Sequence, residues 1–480
     1  MTAWRGTGPP SLAERTAGTH PAIPVQNTPP ADSVPLSPVA LYIHVPFCLS
    51  LCPYCDFVVY AGGAARGPNQ RMDAFREALH VELGLRADAL RGRFRDARPP
   101  LQSVYIGGGT PSLLGAPAIG ALLDQVEQRF GIASEAEITL EANPGPQDRG
   151  DLAGFRAAGV TRLSLGVQSL AAAELRVLGR RHRVEDVAVS VEEARHAGFR
   201  DVSLDLLYDI PGQTPASWAA TLGHAVALEP DHLSTYALTL ELDDISSSDH
   251  LPVARGARAW RLRAASAQDE DRAADLDALA DELLEPAGYR RYEIANRARP
   301  GHESRHNLAY WQRLPYEAVG PGAHAFDGDR RRRWNAANLA AYIGALVPSA
   351  ANRSAAPGLP PGGEDVLDRP TASEERVILG LRLSSGVRVD LAAEPAFAAA
   401  LEWGMEFGLV ERTDDAFRLT PRGRLLSNEI FARLLPEPHQ EPARPAGLVP
   451  AAVEGQPPRA VDGRAPSARR PTSTGVRPAA

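Results

Sequence analysis

The sequence predicts an α/β protein: a partial (β/α)6 TIM-like barrel, then a small C-terminal α+β winged-helix-like module, with disordered termini. Three observations carry this expectation. Six short apolar runs alternate with longer amphipathic segments, the pattern of βαβ units and a parallel sheet. Glycines and polar residues cluster just after those runs, where the βα loops of a barrel sit. Stretches rich in Pro, Ala and Gly flank the chain and interrupt it once.

The apolar runs are 41–45, 102–106, 137–141, 162–167, 202–207 and 232–238. Helical patterns lie between them at 70–91, 117–130, 148–158, 171–178, 184–197 and 215–228. No pattern for a full eight-stranded barrel is visible. The order of composition gives a disordered tail (1–38), the barrel (39–245), an extension completing the core (246–347), a linker (348–369), the C-terminal module (370–435) and a second disordered tail (436–480). In the module, helical patterns at 372–381 and 396–407 precede a hairpin over 408–420 turning at Asp414-Asp415. Its charge is mixed, so a lid or docking role over the barrel mouth is expected rather than DNA binding.

Composition narrows the function. The 480 residues suit about two or three domains. The net charge is −8, and all 51 basic residues are arginine. A mildly acidic chain lacks the basic footprint of a nucleic-acid binder. Its three cysteines fall between positions 48 and 55, which excludes a disulfide framework. No apolar stretch approaches the roughly 18 residues of a membrane span, and the N-terminus has no hydrophobic signal core. A cytoplasmic protein with reduced thiols is expected, with peripheral membrane contact left open.

Cys48, Cys52 and Cys55 have the spacing C-x3-C-x2-C. Soft thiolates suit an iron–sulfur cluster or zinc. Structural zinc takes four ligands, and there is no fourth cysteine. His44 could complete a zinc site, but it lies on the strand side of the loop. A metal–sulfur cube held by three thiolates leaves one iron open to a chelating ligand. Three buried thiols in a loop are the plain alternative.

The cysteine motif, with Tyr54 before its third member, resembles that of the radical S-adenosylmethionine (SAM) superfamily. The segments Y-I-G-G-G-T-P-S (105–112), L-E-A-N-P-G (140–145), G-V-Q-S (166–169), L-G-R-R-H (178–182) and D-L-L-Y-D-I-P-G-Q-T (205–214) narrow the match. Together they resemble the oxygen-independent coproporphyrinogen III oxidase group, which holds that oxidase and HemW-type heme chaperones. The resemblance covers roughly residues 41–435. It implies a [4Fe–4S] cluster on Cys48, Cys52 and Cys55. It also implies SAM contacts from Tyr42, Gly108, Gly109, Thr110, Glu141, Gln168, Arg180 and Asp205. Tyr54 and Phe57 belong to the same cofactor loop. His44 is placed near the cluster with a catalytic role, because the matching histidine of the oxidase is part of its site.

Two features favour the chaperone. Phe57 stands where the oxidase usually has a fourth cysteine. The segment His306-Asn-Leu-Ala-Tyr310-Trp311 resembles a chaperone motif, H-N-x-x-Y-W. This implies heme as ligand, with His306 as candidate axial ligand, and puts 246–347 on the heme or substrate side. His302, His324 and His182 are alternative ligands, and the motif could instead plug the barrel with packed aromatics. The expected partners are heme and heme-acceptor proteins, respiratory ones among them. The competing functions are the oxidase of porphyrin biosynthesis and a non-catalytic iron–sulfur interaction protein.

Overall fold

The computed structural model describes residues 36–62, 71–94, 98–240, 256–347, 357–392 and 394–435. The expected disordered tails lie almost wholly outside the described residues. Each apolar run forms a strand: β1 (Ala40–Val45), β2 (Leu101–Gly108), β3 (Ile132–Ala142), β4 (Arg162–Gln168), β5 (Asp201–Tyr208) and β6 (His232–Ala237). They pair in parallel in that order. Helices return between them on one face, and several start at a side-chain cap. Thr214, for example, accepts from Ser217 N just before Pro215.

Strand alternation decides which face carries chemistry. In β4, Leu163, Leu165 and Val167 are fully buried in the main hydrophobic core. Arg162, Ser164 and Gly166 point the other way and line the barrel interior. Parallel strands covered on both sides are usually apolar throughout. The polar inner face departs from that pattern and lines a cavity.

Further strands extend both edges. β7 (Arg290–Arg291) and β8 (Asn296–Ala298) add antiparallel strands beyond β6. β9 (Tyr316–Val319) lies parallel to β1, and β10 (His324–Phe326), β11 (Arg331–Asn335) and β12 (Gly362–Val366) follow antiparallel. The sheet is thus a twelve-stranded mixed sheet around a six-stranded arc. β12 corrects the expectation of a linker over 348–369. Gly-Gly-Glu-Asp-Val has weak strand propensity, but Gly362 and Gly363 fit flat against Trp334, where a Cβ would clash.

The helix Arg305–Trp311 carries the H-N-x-x-Y-W motif and plugs the barrel's lower end. Glu137, in the middle of β3, accepts from the backbone N–H groups of Arg305 (2.8 Å) and His306 (3.1 Å) and from Ser304 Oγ (3.3 Å).

The C-terminal segment forms helices Arg369–Arg382 and Pro395–Glu406, then the hairpin Val410–Arg412 and Ala416–Leu419, then helices Pro421–Leu425 and Ser427–Leu434. A short strand, Val387–Arg388, completes a three-stranded sheet. Val377, Leu381, Phe397, Leu401 and Ile430 give it its own core. It docks against the plug side: Arg382 stacks on Trp311 and Ser384 N donates to Tyr292 O. None of its described residues lines the barrel cavity, so it does not cover the mouth as expected.

Candidate functional site

The upper barrel opens into a cavity of about 420 Å³ lined by Cys48, Cys52, Cys55, Gly108, Gly109 and Thr110, and by Glu141, Gln168, Arg180 and Asp205. Five separate βα loops and strand ends bring these residues together. Tyr54, His182 and Phe57 border the same space, and Phe57 is 67% exposed.

The cysteine loop is tied down from several sides. Thr110 Oγ1 donates to Cys48 Sγ at 3.5 Å, and Arg180 Nη1 to Cys52 Sγ at 3.8 Å. Arg261 grips the loop from below, donating to Pro53 O and Cys55 O. Gly109 lies so close to this loop that a Cβ would meet Phe47 O at 2.6 Å. Burial pushes the Cys48 thiol up to about 11 and the Cys55 thiol up to about 12. Without metal both thiols stay protonated.

Among the described residues no group of three His, Cys, Asp or Glu side chains converges on a single ion position. Zinc requires such convergence. A cube does not, because each iron takes its own thiolate. Three thiols around one cavity, with donors aimed at two of the sulfurs, fit the cluster.

The carboxylates sit deeper. Glu141 accepts from Tyr105 Oη (2.8 Å) and Gly108 N (2.9 Å), and burial pushes its carboxyl up to about 7. Asp205 is held by Ser164 Oγ (3.1 Å) and Ser203 Oγ (3.5 Å), and burial raises it too. Gln168 has φ +67°, a conformation rare outside glycine, at the cavity edge. Arg180 Nη2 donates to Asn143 Oδ1 and to Gly166 O (2.6 Å), while its Nε has no partner. These residues offer hydrogen-bonding partners for the polar groups of a nucleoside–amino-acid ligand, so they fit SAM.

Three expected residues lie elsewhere. Tyr42 and His44 do not line the cavity. Tyr42 Oη bonds His44 Nδ1 (3.0 Å), and His44 Nε2 bonds Val58 O (2.8 Å). The His44 ring packs under Gly108, and burial lowers its pKa to about 4. His44 thus supports the glycine loop from behind.

His306 is 1% exposed. Its Nδ1 bonds Ser103 Oγ (2.9 Å) and its Nε2 bonds Tyr310 Oη (2.8 Å). Burial lowers its pKa to about 3, so it is a neutral ring with both nitrogens engaged. Of the alternatives, His302 pairs with Asp201, and exposed His324 stacks on Trp334. His182 Nε2 bonds Val167 O at 3.1 Å.

Sequence reasoning missed Arg162, Ser164, Ser234, Tyr236 and Asn307, all of which line the cavity. Period-two alternation from Gly166 back to Arg162 is the signal that finds the first two.

Comparison with known proteins agrees with this geometry. Residues 42–225 match the radical SAM superfamily, and residues 367–426 match the HemN C-terminal domain. The solved structure of coproporphyrinogen III oxidase (HemN) from Escherichia coli is similar, with TM-score 0.66 and 25% identity over 83% of this chain and 90% of that one. A protein of the radical SAM class is thereby defined. The heme chaperone HemW of Mycobacterium tuberculosis is 38% identical over 404 residues, 84% of this chain and 96% of the relative. That of Bacillus subtilis is 32% identical over 410 residues, 82% and 99% of the two chains. The chain belongs to the HemW family within the radical SAM superfamily.

Proposed function

We propose that this protein is a heme chaperone of the HemW type, which holds a [4Fe–4S] cluster on Cys48, Cys52 and Cys55, binds SAM beside it and passes heme to acceptor proteins. Identity to named heme chaperones over nearly their whole length carries this reading. Phe57, exposed where the oxidase would have its fourth cysteine, also supports it. When bound, the cluster supplies a redox-active iron with one position not filled by the protein. Thr110 and Arg180 then act as donors to the ligating sulfurs, orienting them and tuning their basicity. Glu141, Gln168 and Asp205 accept from or donate to SAM around the same cavity, and Arg180 offers it positive charge.

The protein is cytoplasmic in this reading, with respiratory proteins among the acceptors. No helix among the described residues is long and apolar enough to cross a membrane. His306 serves as an axial ligand only if Ser103 and Tyr310 release it; the folded plug offers iron no free ring nitrogen. The deciding experiment is anaerobic reconstitution followed by parallel assays. Stoichiometric heme binding and transfer to an apo-acceptor, without decarboxylation of coproporphyrinogen III, is the expected result. Multiple turnovers of coproporphyrinogen would assign the protein to the oxidase instead.

A further inference from the structure

Arg162 opens β4 on the inner face of the barrel and is only 4% exposed. It lines the cavity together with Glu141 and Asp205. Among the described residues its guanidinium makes no hydrogen bond or ion pair, yet its nitrogens are not sealed off by neighbouring atoms. Its donors therefore face open space. A guanidinium carries five N–H donors, and a buried one left without acceptors is costly.

The nearby carboxylates do not take up those donors. Glu137 is engaged by the backbone of the plug helix. Glu141 is held by Tyr105 and Gly108. Asp205 is held by Ser164 and Ser203. Arg180, a half-buried guanidinium on the same cavity, already donates to Asn143, Gly166 O and Cys52. Asn307 from the plug helix and Ser234 and Tyr236 from β6 reach the same cavity. Arg162 also borders a space of about 20 Å³ beside His302, which holds little more than a water.

We propose that Arg162 forms a carboxylate-binding subsite in the cavity that Asn307 also lines. A planar fork of donors matches a carboxylate in two parallel hydrogen bonds. Two ligands of the proposed function carry that group: the propionates of heme and the methionine carboxylate of SAM. The inference deepens the chaperone reading, and its SAM arm is independent of heme.

The test is equilibrium titration on the full chain after anaerobic reconstitution. Heme is compared with heme dimethyl ester, and SAM with decarboxylated SAM. Wild type, Arg162→Gln and Arg162→Lys are measured, with iron and sulfide content as the check on folding. In one of the two pairs, wild type should prefer the free acid at least tenfold. Arg162→Gln should abolish that preference, and Arg162→Lys, which keeps charge but not the fork, should restore part of it. The pair that responds names the source of the carboxylate. Should heme not bind at all, the chaperone reading falls while the SAM pair still decides the subsite. If wild type has no free-acid preference in either pair, or if Arg162→Gln keeps it, the subsite is overturned. Where Arg162→Gln does not fold, Arg162→Lys carries the test: an undiminished preference in it also overturns the proposal.

Discussion

The two ends of the barrel use their polar groups in opposite ways. At the mouth, three thiols, two carboxylates held by hydroxyl and backbone donors, and the unpartnered guanidinium of Arg162 surround an open cavity. At the plug, Glu137, Ser103, His306 and Tyr310 satisfy one another in a sealed network. Both ends carry residues of types that do chemistry. The difference is whether their hydrogen-bonding capacity is left available, and it separates a site from a support.

The largest effect tests the mouth. Cys48→Ala, Cys52→Ala and Cys55→Ala should each abolish the reconstituted cluster, since the chain has no spare cysteine. Iron and sulfide counted per chain are the measurement. Near-full content in any one variant would erase the distinction drawn for that end.

The plug should respond in stability. Removing the Glu137 carboxylate by Glu137→Ala strips acceptors from two buried backbone N–H groups and from Ser304, at a cost of about 3 kcal/mol. His306→Ala leaves Ser103 and Tyr310 unpaired and opens a void, costing about 2 kcal/mol. Chemical denaturation reads both. In His306→Ala the Soret band of bound heme should be unchanged. A lost band with unchanged stability would make His306 the heme ligand and the plug a gate.

How much of this was legible in the sequence depends on the range of the interactions. Strands β1 to β6 followed from local apolar runs, and the mouth followed because topology alone gathers the loops after parallel strands. The role of His306 could not be seen, because its partner Ser103 lies 203 residues away. Tyr310, four residues on, was visible, but nothing local shows that its hydroxyl faces the ring. Arg162 opens the apolar run 162–167, and nothing local marks it as a cavity residue. Only the inward direction of Ser164 and Gly166 reveals that it faces the cavity. β12 was hidden because its pairing with β11 overrides a poor local propensity.

Protonation distinguishes the buried histidines from ordinary ones. His44 and His306 have pKa values lowered to about 4 and about 3, chiefly by burial. In the unfolded chain both titrate near 6.5. Their neutral forms therefore contribute stability in full above about pH 6.5, and it is lost progressively as pH falls toward the folded values. Melting temperature should drop between pH 7.5 and 5.5 in wild type and drop less in His306→Gln. Equal drops in both would mean that the plug histidine is not the buried neutral group described.

The smallest effect lies where the C-terminal module meets the plug. The Arg382 guanidinium sits 4.3 Å from the centre of the Trp311 ring and 3.9 Å from Glu293. The Glu293 carboxylate is buried and its pKa is raised by that burial, so Arg382 is its compensating charge. Arg382→Ala removes the stacking, worth about 0.5–1 kcal/mol at a partly exposed site, and leaves Glu293 to take up a proton. The expected result is a small loss of stability that shrinks as pH is lowered, because a protonated Glu293 no longer needs the arginine. Cluster content and SAM affinity should stay at wild-type levels, because none of these three side chains lines the cavity. A loss of SAM affinity in Arg382→Ala would tie the module to the mouth through the plug, and the two ends of the barrel would then act as one device.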